Sequence, residues 1–243
     1  VIVVTAQHYL DHYYSLRLPI TVTSMTIENK LSPRFFPPEI RPIRSLTPYD
    51  PAMPIRIGYF GALRCPIAWS VLKTIAKLGC GRIKVVLRGD ARNIPGLAFE
   101  AAEAENVEFL GPYLDPEDIA KIYNSVDLVW SAGFHKKKSY RWARSCRYYY
   151  AGYFGKPIIS ESSTEEGAIV ANRRIGMVVD LSRPAEAAAA VLNVLPTSLS
   201  EWTANLASIP AEDFVLSNEV DQLFGTIRKR SHEQDRELRK PQS

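Results

Sequence analysis

What this chain has little of narrows it first. Cysteine is scarce, at three in 243 residues, and Cys65, Cys80 and Cys146 are spaced for neither a disulfide framework nor a metal knuckle. A reducing, cytoplasmic setting fits that usage. The histidines His8, His12, His135 and His232 include one pair four residues apart. That pair lacks the glutamate of a zinc-protease helix, so it reads as the polar face of an early helix. No apolar run approaches the roughly 18–20 residues of a membrane-spanning helix. Also missing are the G-x-G-x-x-G fingerprint, the G-x-x-x-x-G-K-[ST] phosphate loop and the G-x-S-x-G elbow. The chain opens Val1-Ile2-Val3-Val4-Thr5 with no charged-then-apolar leader, as if a strand were already under way. That opening reads as a fragment.

Enough is present for a packed core. With 46% hydrophobic and 23% charged residues, disordered and fibrous classes are excluded. Charge is uneven. Between His135 and Arg147 stand six cations and no acid, and the tail from Arg228 carries six cations against three acids, so the rest of the chain is net negative. A solvated basic face is the default reading of the first run. Its place after a strand, opening a helix, favours a local anionic partner over nucleic acid. The tail's mixed signs read as solvation, with peripheral contact to an inner-membrane surface as the secondary expectation.

Proline divides the chain. Seven of its 17 prolines fall between Pro33 and Pro54, where no regular element can persist, so this stretch reads as a linker or a surface-hugging connection. Before it, the pattern predicts a strand at Val1–Thr5, a helix over Gln7–Leu16 and an extended segment Ile20–Ile27. After it, strands are predicted at Ile55–Phe60, Ile83–Leu87, Val107–Leu110, Leu128–Trp130, Pro157–Ser160 and Met177–Asp180. Helices alternate with them from about Pro66 and over Pro95–Glu105, Asp115–Ser125 (capped by Asp115), Arg144–Phe154, Glu165–Arg173 and Pro184–Leu195. Helices near Ser198–Ala207 and Ser217–Lys229 follow, then a frayed charged end from Ser231. Short apolar strands alternating with helices mean βαβ units: an α/β, Rossmann-like parallel sheet of about six strands covered on both faces.

Ligands bind such sheets at the carboxyl ends of the strands. The first such loop holds Gly61, which would let backbone approach a diphosphate, and Arg64, which would supply charge; a turn glycine and a surface arginine fit equally well. Arg88 stands where a dinucleotide site would place a ribose-binding acid, against a standard NAD site. The next loops are Gly111-Pro112-Tyr113 and Ser131-Ala132-Gly133. Of the tyrosines at 148, 149, 150 and 153, at least one must be core, since adjacent side chains cannot all face one way.

Several ordered motifs carry a resemblance. They are Val107-Glu108-Phe109-Leu110-Gly111-Pro112-Tyr113, Ile122-Tyr123-x-x-Val126-Asp127-Leu128-Val129-Trp130, Arg147-x-Tyr149-x-Ala151-Gly152-Tyr153-Phe154-Gly155-Lys156-Pro157-Ile158-Ile159 and Ile175-Gly176-x-x-Val179-Asp180. Residues 55–195 thereby resemble the C-terminal, nucleotide-sugar-binding domain of GT-B glycosyltransferases, closest to family-4-like bacterial enzymes that build exopolysaccharides such as succinoglycan. Residues 1–30 resemble the end of that family's N-terminal acceptor domain, 31–54 its linker, and 196–243 would be C-terminal helices and a charged tail.

The resemblance implies transfer of a sugar from a nucleoside diphosphate sugar to a glycan or lipid-linked glycan acceptor. It implies no cofactor and no metal, because arginines, lysines and helix N-termini can hold the diphosphate. The loop Gly61–Arg64 would face the diphosphate, Gly111–Tyr113 the base, Ser139–Trp142 the sugar, and Thr164–Gly167 the sugar-phosphate, with Gly61, Arg64, Gly111, Tyr113, Ser139, Trp142, Tyr150, Thr164 and Gly167 as the candidate contacts. Arg88 and Arg147 complete the set of candidate binding residues, and no catalytic residue is assigned. The family's two glutamates correspond to Trp142 and Tyr150, and where near relatives would read Asn-Arg-x-Tyr-Glu this chain reads Cys146-Arg147-Tyr148-Tyr149-Tyr150. A neutral phenol does not replace a carboxylate's two charged acceptors. A non-catalytic GT-B-like scaffold therefore stays open as an alternative. A nucleotide-sugar epimerase has less support, with only His135 available in that half. With the acceptor side largely missing, this chain alone is expected not to be catalytically competent.

Overall fold

A computed structural model describes residues 1–19, 22–42, 50, 52–133, 138–194 and 196–238, with backbone alone at 138, 139 and 232–238. Two short strands come first: β1 (Ile2–Val4) and β2 (Ser24–Thr26) pair in parallel as a sheet of their own. Between them α1 is only Gln7–Tyr9 and runs into a π-helical turn at Leu10–Tyr14, in place of the α-helix predicted over 7–16. Asp, His and Tyr are mediocre helix formers, so local preference holds that stretch weakly.

The main unit then alternates without interruption. It runs β3 (Ile55–Ala62), α2 (Pro66–Leu78), β4 (Ile83–Asp90), α3 (Leu97–Glu103), β5 (Val107–Phe109), α4 (Ile119–Asn124), β6 (Leu128–Trp130), α5 (Cys146–Tyr153), β7 (Ile158–Glu161), α6 (Glu165–Arg173), β8 (Gly176–Val179) and α7 (Pro184–Leu192). All six of its strands are parallel, in the order β5-β4-β3-β6-β7-β8. Alternate side chains supply two cores. Ile57, Tyr59, Val85, Leu87, Leu128, Trp130 and Ile159 pack with α2, α3 and α7, whereas Phe60, Val86, Val129 and Ile158 pack with α4, α5 and α6. Period-two alternation with both faces apolar is why these strands read as continuous hydrophobic runs. The predicted doubly covered sheet is thus observed.

Two local expectations are corrected. The helix predicted from Asp115 begins at Ile119, after Asp118, and Asp115 does not cap it: its carboxylate accepts a hydrogen bond from Tyr150 instead. The tail predicted to fray from Ser231 is helical as far as Leu238, because after α8 (Pro196–Ser208) the helix α9 spans Glu219–Leu238; residues 239–243 lie outside the description.

The proline-rich connection lies against the main unit where it is described; residues 43–49 and 51 fall outside the description. Leu31 bridges to Val215, Phe36 packs on Tyr150, Tyr153 and Phe154, and Arg41 acts as a staple. Its guanidinium donates to Gly152 O (2.6 Å), Tyr153 O (3.2 Å), Leu206 O (2.9 Å) and Ile209 O (2.5 Å). These are carbonyls at the ends of α5 and α8, where the α-helical ladder runs out; Gly152 O and Leu206 O accept in addition from Gly155 N and Ile209 N. Arg41→Ala is expected to cost about 2–3 kcal/mol, lowering the melting temperature by roughly 5–10 °C. A melt within a degree or two of wild type would show that solvent replaces the staple.

Candidate functional site

The strand order reverses between β3 and β6, and there the loops part to leave a crevice at the carboxyl edge. A cleft of about 490 Å³ occupies it. Three helices point their N-termini at this cleft, because Cys65, Ser145 and Thr164, the N-cap residues of α2, α5 and α6, all line it. Their side chains accept from Ala68 N, Tyr148 N and Gly167 N. Further unpaired amides and the aligned dipoles remain to favour negative charge.

Two arginines join them on the cleft wall. Arg64, on the β3–α2 loop, is exposed. Arg147, in the first turn of α5, donates to Phe60 O (2.9 Å) and lies over the Tyr59 ring at 5.1 Å. Its Nε is buried without a partner. Arg144 also lines the cleft but pairs with Glu28 and covers Tyr148 and Tyr149. The two ends of the cleft differ. Toward β5 it is aromatic, with Tyr113, Tyr123 and Tyr150 beside Asp115. Toward β7 its floor is hydroxyl and carboxylate: Ser131, Ser160, Glu161, Thr164 and Glu166.

The carboxylates at the β7 end are built in. Glu161 and Glu166 are each only 5% exposed. Glu166 accepts from Ser145 N (2.7 Å) and Ser160 Oγ (2.9 Å), tying α6 to the start of α5. Glu161 accepts from Leu181 N (3.1 Å), and burial pushes its carboxyl above the usual range. The described part of the segment before Lys30 contributes to the facing wall. Tyr9 and Asn29 line the cleft, His8 Nδ1 stands 2.6 Å from Glu165 Oε2, and Asn29 donates to Arg144 O at 3.0 Å.

Of the residues singled out in the sequence, Gly61, Arg64, Tyr113, Arg147, Tyr150 and Thr164 come together in this cleft. Gly61 has φ +91°, and the Tyr113 hydroxyl stands 3.7 Å from where a Cβ there would lie. The others serve at one remove. Arg88 points away, donating to Pro112 O at 2.8 Å. Gly111, at φ +68°, offers its carbonyl to Gly89 N at 2.8 Å. Gly167 lets α6 approach β7, since a Cβ there would meet Glu161 O at 2.1 Å. Trp142 contacts Tyr9 and His12 with ring centroids at 5.4 and 5.8 Å. Ser139 sits in the 3-10 turn Lys138–Arg141 with its side chain outside the description, as are residues 134–137, including His135 and two of the expected cations. Tyr148 and Tyr149 are core, which leaves Tyr150 as the tyrosine of that run facing the cleft.

Asp115 reads in sequence only as a helix cap, Glu166 only as part of the Thr164–Gly167 segment, and Glu161, Ser145 and Ser160 carry no sequence signal for the site. A charged residue after a strand looks solvated in sequence, and their convergence depends on the sheet order. A more open hollow of about 800 Å³ lies beyond β4, beside Leu97, Phe99 and Phe109. Its arginine, Arg92, is already bonded to both oxygens of Asp90 at 2.9 and 2.7 Å. Among the described residues no group of three or more His, Cys, Asp or Glu is placed to hold a metal ion, and no helix is long and apolar enough to cross a membrane.

No family model matches the chain. Over 192 residues it is 28% identical to the succinoglycan biosynthesis protein ExoL of Rhizobium meliloti, covering 74% of this chain and 45% of that protein. The chain thus spans less than half the length of this curated relative. Among solved structures, Anabaena HepE in complex with UDP and glucose aligns with a TM-score of 0.68 at 16% identity, over 94% of this chain and 63% of HepE. TarM of S. aureus, in a complex that includes UDP, aligns at 0.63 and 13% identity, over 93% and 43%. The C-terminal domain of the glycosyl transferase group 1 family protein LpcC from Francisella tularensis aligns at 0.52 and 15% identity, over 68% of this chain and 90% of that domain. The chain is therefore a homologue of an exopolysaccharide biosynthesis protein, and its fold is that of the GT-B glycosyltransferases.

Proposed function

We propose that this chain is the donor-binding part of a glycosyltransferase of bacterial polysaccharide assembly, holding a nucleoside diphosphate sugar in the cleft between β3 and β6. One observation carries the reading: Arg64, Arg147 and three helix N-termini converge on one crevice. That is the charge a diphosphate needs, both bound and as a leaving group. The polarity of the cleft supports the rest. The aromatic β5 end suits a nucleoside, and the serine-lined β7 end suits sugar hydroxyls. HepE has been solved with UDP-glucose, and ExoL is named for succinoglycan biosynthesis.

In the full reaction the sugar would pass to a glycan or lipid-linked glycan. Residues 1–30 would belong to the acceptor-side body, 31–54 would be its linker, and 55–195 would hold the donor. With no acceptor-side base assigned here, the chain alone would bind donor without transferring it. Arg64 and Arg147 would offset the diphosphate charge without a resident metal.

Calorimetry on the folded chain with UDP-, GDP- and TDP-sugars tests this. One nucleotide should bind at micromolar to sub-millimolar concentration, more weakly as salt rises. No binding at millimolar ligand would favour the scaffold reading, which Trp142 and Tyr150 keep in play by standing where carboxylates were expected. Efficient sugar transfer by the isolated chain would contradict the division of labour.

A further inference from the structure

The β5 end of the cleft contains one polar pair that neither anion binding nor packing explains. Tyr150 Oη donates to Asp115 Oδ2 at 2.6 Å, and both residues line the cleft. The partners are 35 residues apart, on the α5 helix and the β5–α4 loop. The Tyr150 ring is fixed from behind by Phe36 and Tyr123, with centroids at 5.4 Å in each case. Its hydroxyl is thus a fixed tether for an otherwise exposed loop carboxylate. Among the described residues Asp115 Oδ1 takes no hydrogen bond.

The tether fixes what the pair can recognise. The phenol's one proton is given to Asp115, and an ionised carboxylate has none. Every remaining valence is therefore an acceptor, so a partner must donate. Carboxylate and phosphate ligands are excluded by like charge, which leaves hydroxyl or amine donors. Position then selects among them. Arg147 and Tyr150 are three residues apart on α5, so both project from one helix face. Along the sheet edge, Asp115 follows β5, Arg64 follows β3 and the serine floor follows β6 and β7. A ligand with its phosphates at the arginines therefore presents hydroxyls at both ends. Those beside the tyrosines are next to the base.

We infer that Asp115 accepts hydrogen bonds from the ribose 2′- and 3′-hydroxyls of the bound nucleotide, with Tyr150 as the positioning residue that aims it. The inference rests on the nucleotide-sugar reading above and deepens it. Carboxylates hold ribose diols in other doubly wound sheets, where the acid closes the second strand; here the acid comes from the loop after β5. Holding Asp115 by a phenol reduces the loss of loop freedom on binding. Arg88, on β4, is no substitute: it bonds Pro112 O and stands 4.0 Å from Asp118.

The test compares UDP with 2′,3′-dideoxy-UDP by calorimetry on the full chain and on Asp115→Ala, Tyr150→Phe and the double variant. Wild type should prefer UDP about tenfold, as expected for a charged hydrogen bond. Asp115→Ala should lose about that factor for UDP and leave dideoxy-UDP within about twofold. Tyr150→Phe keeps the ring packing and should cost a smaller factor, again for UDP alone. The double variant should bind no worse than Asp115→Ala, because Tyr150 acts through Asp115. Equal losses for both nucleotides, or an Asp115→Ala variant that still discriminates tenfold, would overturn the inference while leaving nucleotide binding intact. Failure of wild type to bind UDP, GDP or TDP would overturn the parent reading as well; if GDP alone binds, GDP and 2′,3′-dideoxy-GDP give the same comparison. Asp115 is exposed, so its removal leaves the core unchanged, and a matched thermal melt confirms this.

Discussion

Changing Arg64 and Arg147 together to methionine should weaken UDP binding at least a hundredfold. Each guanidinium offers a charge-assisted contact to phosphate oxygens, worth about 1.5–3 kcal/mol, or roughly tenfold or more per residue. The single variants are informative in different ways. Arg64 is exposed, so Arg64→Met should cost about tenfold in affinity and nothing in stability. Arg147 also bonds Phe60 O and covers Tyr59, so its loss should lower the melting temperature as well. Affinity retained in the double variant, with the fold intact, would move the diphosphate elsewhere.

The largest loss of stability is expected from Gly89→Ala. Gly89 has φ +135°, and a Cβ there would stand 1.8 Å from Gly61 O and 2.9 Å from Gly61 N. Gly61 and Gly89 are paired residues of β3 and β4, so the obstacle is sheet backbone and cannot swing aside. The ends of both strands would have to separate, distorting the loop that follows Ala62. A cost above about 3 kcal/mol places this among the severe substitutions. Gly81→Ala is the control. Its φ is +80°, and nothing lies within 4 Å of the added carbon, so only the left-handed conformation is penalised, by about 1–2 kcal/mol. Denaturant melts should separate the two by more than about 1 kcal/mol; equal effects would show that the strand ends yield.

Both expectations depend on features of different legibility. The alternation of β3 to α7 was plain, because a parallel sheet buried on both faces writes each strand as an apolar run such as Ile83–Leu87 and each helix as a periodic one. The pairing of β1 with β2 was not. Ser24-Met25-Thr26 has no apolar signature, and its partner lies 22 residues away. Arg41 looked like any charged residue in a proline-rich stretch, since the carbonyls it caps belong to helices more than a hundred residues later. The far end of the long polar helix α9 is not legible because Ser231 onward has little apolar periodicity, while helix continuation there needs only backbone bonding and adequate propensity.

The site was half legible for a related reason. Gly61, Arg64 and Arg147 sit at a strand end, in the loop after it and in a helix's first turn, positions that follow from the strand count. Asp115 was read as a helix cap because an acid before an amphipathic stretch usually is one. Its partner Tyr150 was marked only by the absence of an expected glutamate. Three-dimensional structure turns those two departures into one pair: a carboxylate is present near α5, supplied by another loop. The roles of Glu161 and Glu166 are not legible in sequence, because buried acids need partners that sequence does not display, here Leu181 N, Ser145 N and Ser160 Oγ.

The measurement closest to the central claim is a titration of the isotope-labelled chain with UDP, followed by backbone amide shifts. The largest changes should fall on Gly61–Arg64, Tyr113 and the first turn of α5 from Ser145 to Tyr148, with smaller ones at Thr164–Gly167 for UDP-glucose than for those phosphate-facing amides. Shifts centred instead on Leu97, Phe99 and Phe109 in the hollow beyond β4, or no saturable shifts at millimolar UDP, GDP or TDP, would contradict donor binding in the β3–β6 cleft.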